Sequence, residues 1–324
     1  MRPFAYARPE TIGQALTVLD HQNRPLAGGT DLLTLMKGGI VAPERLVDIK
    51  RLPELTDAIS LDGNGITLEA LVTLSQIEDD PMIATHLPAL ADAASLAATP
   101  QLRNMATIGG NILQRPRCWY FRNDAVPCWL KGGDTCFARE GQNQHHAIFD
   151  LSPCVATHAS DPATALLSYS ATVRYRDGRG ESEITIEEFF QPPVEDRRTE
   201  NILPEDAIVT GIRIPLPKEG TRSRYLKAMD RKVWAFALAG VAVVLEMDGE
   251  TVSGAKVTLG GVAPIPLRAS GVEDVLTGSV LDEATISRAV DAAVVGAKPL
   301  SHNGYKVPLI EALVRDALWQ VAEG

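Results

Sequence analysis

A mixed α+β chain in two parts is what this sequence predicts, and three observations carry the prediction. Segments of helical and of strand periodicity follow one another along the whole length. Pro215 and Pro217 break the chain just before its character changes. At 324 residues it is longer than one ordinary domain of about 150, and 45% hydrophobic with 22% charged residues is the composition of folded, non-fibrous protein.

Taken in order, Ile12, Ala15, Leu16 and Leu19 recur at i, i+3, i+4 and i+7, predicting an amphipathic helix from Thr11 to Asp20. A short strand, Arg24 to Ala27, runs into Gly28-Gly29-Thr30-Asp31, and Leu32, Leu35 and Met36 resume helical spacing until Gly38-Gly39. Leu46–Ile49 and Ile66–Ala70 read as strands. Ser75 with Glu78 reads as a capping box opening another helix, and Pro88 to Ala98 is alanine-rich and helical.

Further on come a helix from Pro162, a strand Ala171–Arg176, the Asp177-Gly178 turn and a returning strand near Glu183-Ile184. The polar, proline-bearing stretch Gln191–Asp206 suits an exposed loop before the strand Ala207–Ile214. Beyond the break at Pro217–Thr221 lie strands around Tyr225, Val233–Met247 and Thr251–Val262, joined by Asp248-Gly249, and then two helices: a small α+β domain.

Charge and motifs exclude several function classes. A net charge of −10 without a Lys/Arg-rich run gives no footprint for nucleic acid. The longest apolar stretch, Trp234–Leu245, is short of the roughly 20 residues of a membrane span and reads as core. The N-terminal residues carry charge and proline where an export signal needs an apolar segment. No G-x-G-x-x-G follows a strand, and no P-loop, H-E-x-x-H or G-x-S-x-G occurs.

The four cysteines, Cys118, Cys128, Cys136 and Cys154, all fall in one segment rich in Gly, Pro, Arg and Asn. A chain this large needs no covalent staples, so grouped thiols point to a metal, either zinc or an iron–sulfur cluster. Nine, seven and seventeen residues separate them, so no zinc knuckle of the C-x2-4-C kind exists and the spacing tilts toward iron–sulfur, with zinc and free thiols left open. His145, His146 and His158 also lie here, where the commoner role of a loop histidine is a hydrogen bond to backbone.

Two glycine pairs complete the candidate chemistry. Ala27-Gly28-Gly29-Thr30-Asp31 and Ala106-Thr107-Ile108-Gly109-Gly110-Asn111 place glycines beside small hydroxyl residues, where backbone N–H groups can approach a phosphate closely. Each pair alone is equally an ordinary tight turn.

With Ser160-Asp161 beyond the cysteine segment, these motifs resemble, in order and spacing, the FAD-binding medium subunits of the xanthine dehydrogenase and aldehyde oxidase family of molybdenum hydroxylases. The resemblance spans essentially the whole chain. It implies an α+β fold: a two-part FAD-binding domain of the PCMH/vanillyl-alcohol-oxidase-like type over residues 1–217, with an iron–sulfur insert at 114–158. A small α+β C-terminal domain like that of CO dehydrogenase flavoproteins would cover 221–324. Two branches of the family carry a [4Fe-4S] insert, the 4-hydroxybenzoyl-CoA reductase β subunit and the periplasmic aldehyde oxidoreductase flavoprotein subunit. Gln114–Phe121 with Cys154–Asp161 looks closest to the second.

Position by position, the resemblance implies that Leu26, Ala27, Gly28, Gly29, Thr30, Asp31, Leu32 and Leu33 bind the FAD pyrophosphate. Thr107, Gly110 and Asn111 would contact pyrophosphate and ribityl oxygens, and Asp161 flavin hydroxyls. Ile208-Val209 and Lys227 look like positions approaching the isoalloxazine, although Lys227 equally suits a solvated surface. Cys118, Cys128, Cys136 and Cys154 would hold the cluster. That uses every cysteine, so [2Fe-2S] centres must reside elsewhere: the implied partners are a small [2Fe-2S] subunit and a large molybdenum-cofactor subunit, in a heterotrimer or its dimer. The implied activity is electron transfer during oxidation of aldehydes to carboxylates, in the cytoplasm or in the periplasm after co-export with a signal-bearing partner. A benzoyl-CoA reductase-like enzyme and a zinc-stabilised scaffold are the competing readings.

Overall fold

The structure, a computed structural model, describes residues 1–323. Its first elements are β1 (Ala5–Ala7), α1 (Ile12–Leu16), β2 (Asn23–Leu26), α2 (Leu32–Lys37) and β3 (Arg45–Asp48). These strands form a parallel three-stranded sheet in the order β1-β3-β2, covered by α1 through Ile12, Ala15 and Leu19. The helix predicted to Asp20 is shorter, because Thr17 already caps it and its N–H turns back to Gly13 and Ala15 carbonyls.

Next come β4 (Ile59–Asp62), β5 (Gly65–Glu69), α3 (Leu74–Asp79), α4 (Pro81–His86), α5 (Pro88–Ser95), α6 (Pro100–Arg103) and α7 (Ile108–Ile112). The capping box is present but shifted: Thr73 and Gln76 make it, while Glu78 pairs with Arg103 through two hydrogen bonds of 2.7 and 2.9 Å. Three prolines at first helical positions explain the run of short helices, since each tolerates a helix start and ends what precedes it. The second glycine pair lies inside α7, capped by Thr107, rather than in a plain turn.

After the insert, α8 (Asp161–Ser168), β6 (Thr172–Asp177), β7 (Gly180–Thr185), α9 (Ile186–Phe189) and β8 (Ile208–Ile214) complete an antiparallel sheet of order β4-β5-β8-β6-β7. Then β9 (Thr221–Ala228), β10 (Ala239–Asp248), β11 (Thr251–Gly260) and β12 (Leu267–Arg268) form a four-stranded sheet of order β12-β11-β10-β9. Helices α10 (Ser270–Leu276), α11 (Glu283–Ala293) and α12 (Lys306–Glu323) follow. There are three helices here rather than two, and β10 starts at Ala239 rather than Val233.

The four-stranded sheet is buried on both faces. Ala239, Val241, Val243 and Leu245 face α10–α12, whereas Ala242 and Val244 join the core of α3, α5, α8 and the five-stranded sheet. Strand alternation thus explains a continuous apolar run without a membrane. The run's first residues are not core: Trp234 is 59% exposed, and residues 229–238 form an irregular strap. Among the described residues, no helix is long and apolar enough to cross a membrane.

Since Leu245 is fully buried at the α12 face, Leu245→Ala is expected to cost about 2–5 kcal/mol. Denaturant unfolding of the variant checks this, and a loss below about 1 kcal/mol would mean that the sheet is not a shared core.

Candidate functional site

The turn between β2 and α2 cannot be built from other residues. A Cβ on Gly28 would lie 1.7 Å from the Met105 carbonyl oxygen, and Gly29 has a left-handed φ of 71°. This close approach brings the two glycine segments together. Leu26, Ala27, Gly28, Gly29, Thr30, Asp31, Leu32, Thr107, Gly110, Asn111 and Val209 all border one cavity of about 340 Å³. Leu33 does not: it packs beneath Gly29. The N–H groups of Gly28, Gly29 and Thr30 donate to no acceptor among the described residues. Asn111 Oδ1 accepts from Ser160 Oγ at 2.5 Å, which aims its amide, and Thr107 Oγ1 accepts from Gly110 N–H at 3.3 Å. Unpaired backbone donors around glycine suit an anion such as a pyrophosphate.

A second cavity of about 710 Å³ shares Thr30, Ala106, Asn111, Gln114 and Arg117 with the first and opens toward the strap. Together they form one elongated site, which fits a dinucleotide with a planar group at the far end. Of these two cavities Asp161 borders the larger alone, and its carboxylate is already engaged: Oδ1 accepts from Tyr225 O–H at 2.7 Å and Oδ2 from Lys227 Nζ at 2.8 Å. Burial pushes the Asp161 carboxyl up, with Lys227 and Tyr225 opposing, and pushes the Tyr225 phenol far up.

Lys227 is no surface residue, since its side chain is fully buried and also donates to the Leu96 carbonyl. Val209 borders the narrow cavity from β8, while Lys227 lies on β9 with its Nζ on Asp161.

The four cysteines converge on one small enclosed space, bordered also by Tyr120, Phe121, Trp129, Leu130 and Phe137. Burial pushes the Cys118 thiol up to about 11. The Cys154 thiol, pushed up by its bond with Cys136 and by burial, donates to Cys136, which is pulled down to about 6. Backbone N–H groups point at the sulfurs: Tyr120 and Phe121 at Cys118, Ala138 and Val155 at Cys136, and Ala156 at Cys154. Three of these donors sit two residues after the cysteine they serve, an arrangement that stabilises thiolate sulfur. Among the described residues, no three His, Cys, Asp or Glu side chains are placed to hold a single metal ion. Four soft sulfurs in a dry pocket with backbone N–H donors are a donor set that suits an iron–sulfur cluster or a zinc ion.

His146 is the residue that sequence reasoning missed. Its Nε2 lies 3.1 Å from Cys118 Sγ, and its ring packs edge-on against Trp119. His158 keeps the ordinary role, its Nδ1 accepting from Ser160 N–H at 3.3 Å.

Asp31 borders the cavity, and its carboxylate is engaged with the cysteine segment. Oδ1 accepts from Arg117 and Arg122, each at 2.8 Å, and Oδ2 from the Arg115 N–H at 2.9 Å. Arg122 donates in addition to the Pro116 and Arg115 carbonyls. The carboxylate therefore ties the glycine turn to the start of the cysteine segment. Arg117, which burial pulls down to about 10 and which remains charged, lies over the Phe236 ring of the strap at 4.6 Å.

Comparison with known proteins agrees with this geometry. A family described as the FAD binding domain in molybdopterin dehydrogenase matches residues 2–217, and the CO dehydrogenase flavoprotein C-terminal domain matches 224–321. The chain is 33% identical to the aldehyde oxidoreductase FAD-binding subunit PaoB of Escherichia coli strain K12, covering 98% of both. It is 30% identical to the carbon monoxide dehydrogenase medium chain of Hydrogenophaga pseudoflava, covering 97% of this chain and 96% of that one. A solved carbon monoxide dehydrogenase structure from the same organism superposes with a TM-score of 0.78 at 28% identity, over 100% of this chain and 99% of the other.

Two variants check the site. Gly28→Ala is expected to strip most of the flavin from the purified protein, because its methyl group has no room beside Met105. Lys227→Met, which leaves the Asp161 carboxylate buried without its cation, is expected to cost about 3–5 kcal/mol by denaturant unfolding.

Proposed function

The chain belongs to the family of FAD-binding medium subunits of the molybdenum hydroxylases, and from that premise we propose that it is the FAD- and [4Fe-4S]-carrying electron-transfer subunit of a molybdenum-dependent aldehyde oxidoreductase. In this reading it is an oxidoreductase subunit and assembles with a small [2Fe-2S] subunit and a large molybdenum-cofactor subunit, where the aldehyde becomes a carboxylate. The observation that carries the reading is the placement of four convergent thiols against the wall of the elongated cavity, with Cys118 bordering both the thiol pocket and the larger cavity.

When bound, FAD takes up and releases electrons, and the cluster exchanges them one at a time. Everything else is done by the chain. Gly28, Gly29 and Thr30 present free N–H groups to the pyrophosphate, and the Thr107 and Asn111 side chains sit beside them. Asp161, held between Tyr225 and Lys227, sets a fixed anionic edge at the large cavity. The thiols lose their protons to become ligands, and the aromatic lining keeps water from them. The aldehyde is the expected substrate class because the relative PaoB is named for an aldehyde oxidoreductase.

Metal and flavin analysis of the anaerobically purified protein tests this. Flavin with about four irons and four sulfides per chain is the expected result. Stoichiometric zinc without flavin would replace it with the structural-scaffold reading.

A further inference from the structure

The strongest unassigned feature is the His146 imidazole. It is 2% exposed, its Nδ1 is buried without a partner, and its Nε2 faces Cys118 Sγ at 3.1 Å. Among the described residues, no other side chain except cysteine hydrogen-bonds a cysteine sulfur. The His146 backbone is held from both within and outside the insert. Its backbone N–H donates to Asn143 O, and its carbonyl accepts from Asn303 Nδ2 at 3.1 Å in the segment preceding α12. Trp119 and Tyr120 flank the ring at 5.0 and 6.2 Å between centroids.

We infer that His146 is a positioning residue for the cluster, donating its Nε2–H to the Cys118 sulfur and thereby raising the cluster's reduction potential. The inference rests on the cluster reading above. A metal-bound thiolate carries no proton, so in that pair the imidazole must be the donor. A hydrogen bond withdraws charge from the sulfur and favours the more negative, reduced cluster. The effect falls on one chosen sulfur: Cys118 alone of the four cysteines borders the large cavity, and His146 borders it too. The C-terminal domain therefore reaches the cluster through Asn303, which fixes the donor.

The test is potentiometric titration of the [4Fe-4S] EPR signal in the purified complex, for wild type, His146→Phe and His146→Gln. The expected result is a lower midpoint potential in His146→Phe at unchanged iron and sulfide content, returned toward wild type by the glutamine amide. Should His146→Phe fail to load iron, wild-type complex containing 15N-histidine decides by pulsed EPR of the reduced cluster. A histidine nitrogen coupling is expected there. An unchanged potential in loaded His146→Phe, or no histidine coupling in wild type, overturns the inference. Wild-type protein lacking iron and sulfide overturns instead the cluster reading beneath it.

Discussion

The arrangement depends on one carboxylate. Asp31 closes the glycine turn at the start of α2, yet both of its oxygens are spent on a segment more than eighty residues away: Arg115 N–H, Arg117 and Arg122. Hydrogen bonds to a charged group contribute about 1.5–3 kcal/mol each where they are shielded from water, and this group is only 15% exposed. The turn that presents free N–H groups and the loop that gathers the thiols therefore share a single anchor. Displacing either moves the other. The glycine motif supplies the turn, and the arginines of the insert join it to the segment that forms the thiol pocket.

The insert is correspondingly well embedded. Glu200 meets Arg115 at 3.0 Å, and Arg198 donates to the Trp129 and Gly133 carbonyls, so the loop after α9 braces one side. On the other side Ile148 and Phe149 enter the core of the C-terminal sheet, Asn143 Oδ1 accepts from the His302 N–H, and Asn303 Nδ2 donates to the His146 carbonyl. Lys306, fully buried, donates to the Gly261 carbonyl at 2.7 Å and fixes the start of α12 beneath the same junction. A segment rich in glycine and proline is anchored here by bonds to neighbouring elements rather than by its own secondary structure.

How much of this was legible in the sequence follows from the range of each interaction. The clustered cysteines and the paired glycines are local patterns, and both led to real cavities. Helix starts at Pro81, Pro88 and Pro100 are also local, although the capping box lay two residues away at Thr73 because two nearby hydroxyl residues compete for that role. What the sequence hid was long-range. Lys227 alternates in and out on a strand like any lysine, and only the fold reveals that Asp161 and the Leu96 carbonyl wait for it. His146 looked like any loop histidine until the fold set it beside Cys118. Asp31 reads as part of the glycine motif, and only the fold shows that the partners of its carboxylate lie in the insert.

The most direct measurement of this account is made on Asp31→Asn, which keeps the turn's backbone but removes the charge both arginines need. FAD affinity by fluorescence and limited proteolysis of residues 114–158 would be followed on the same preparation. Shared anchoring predicts that flavin binding weakens and the insert becomes protease-sensitive together. Weaker flavin binding with a fully protected insert would contradict it, showing that Asp31 serves the flavin alone.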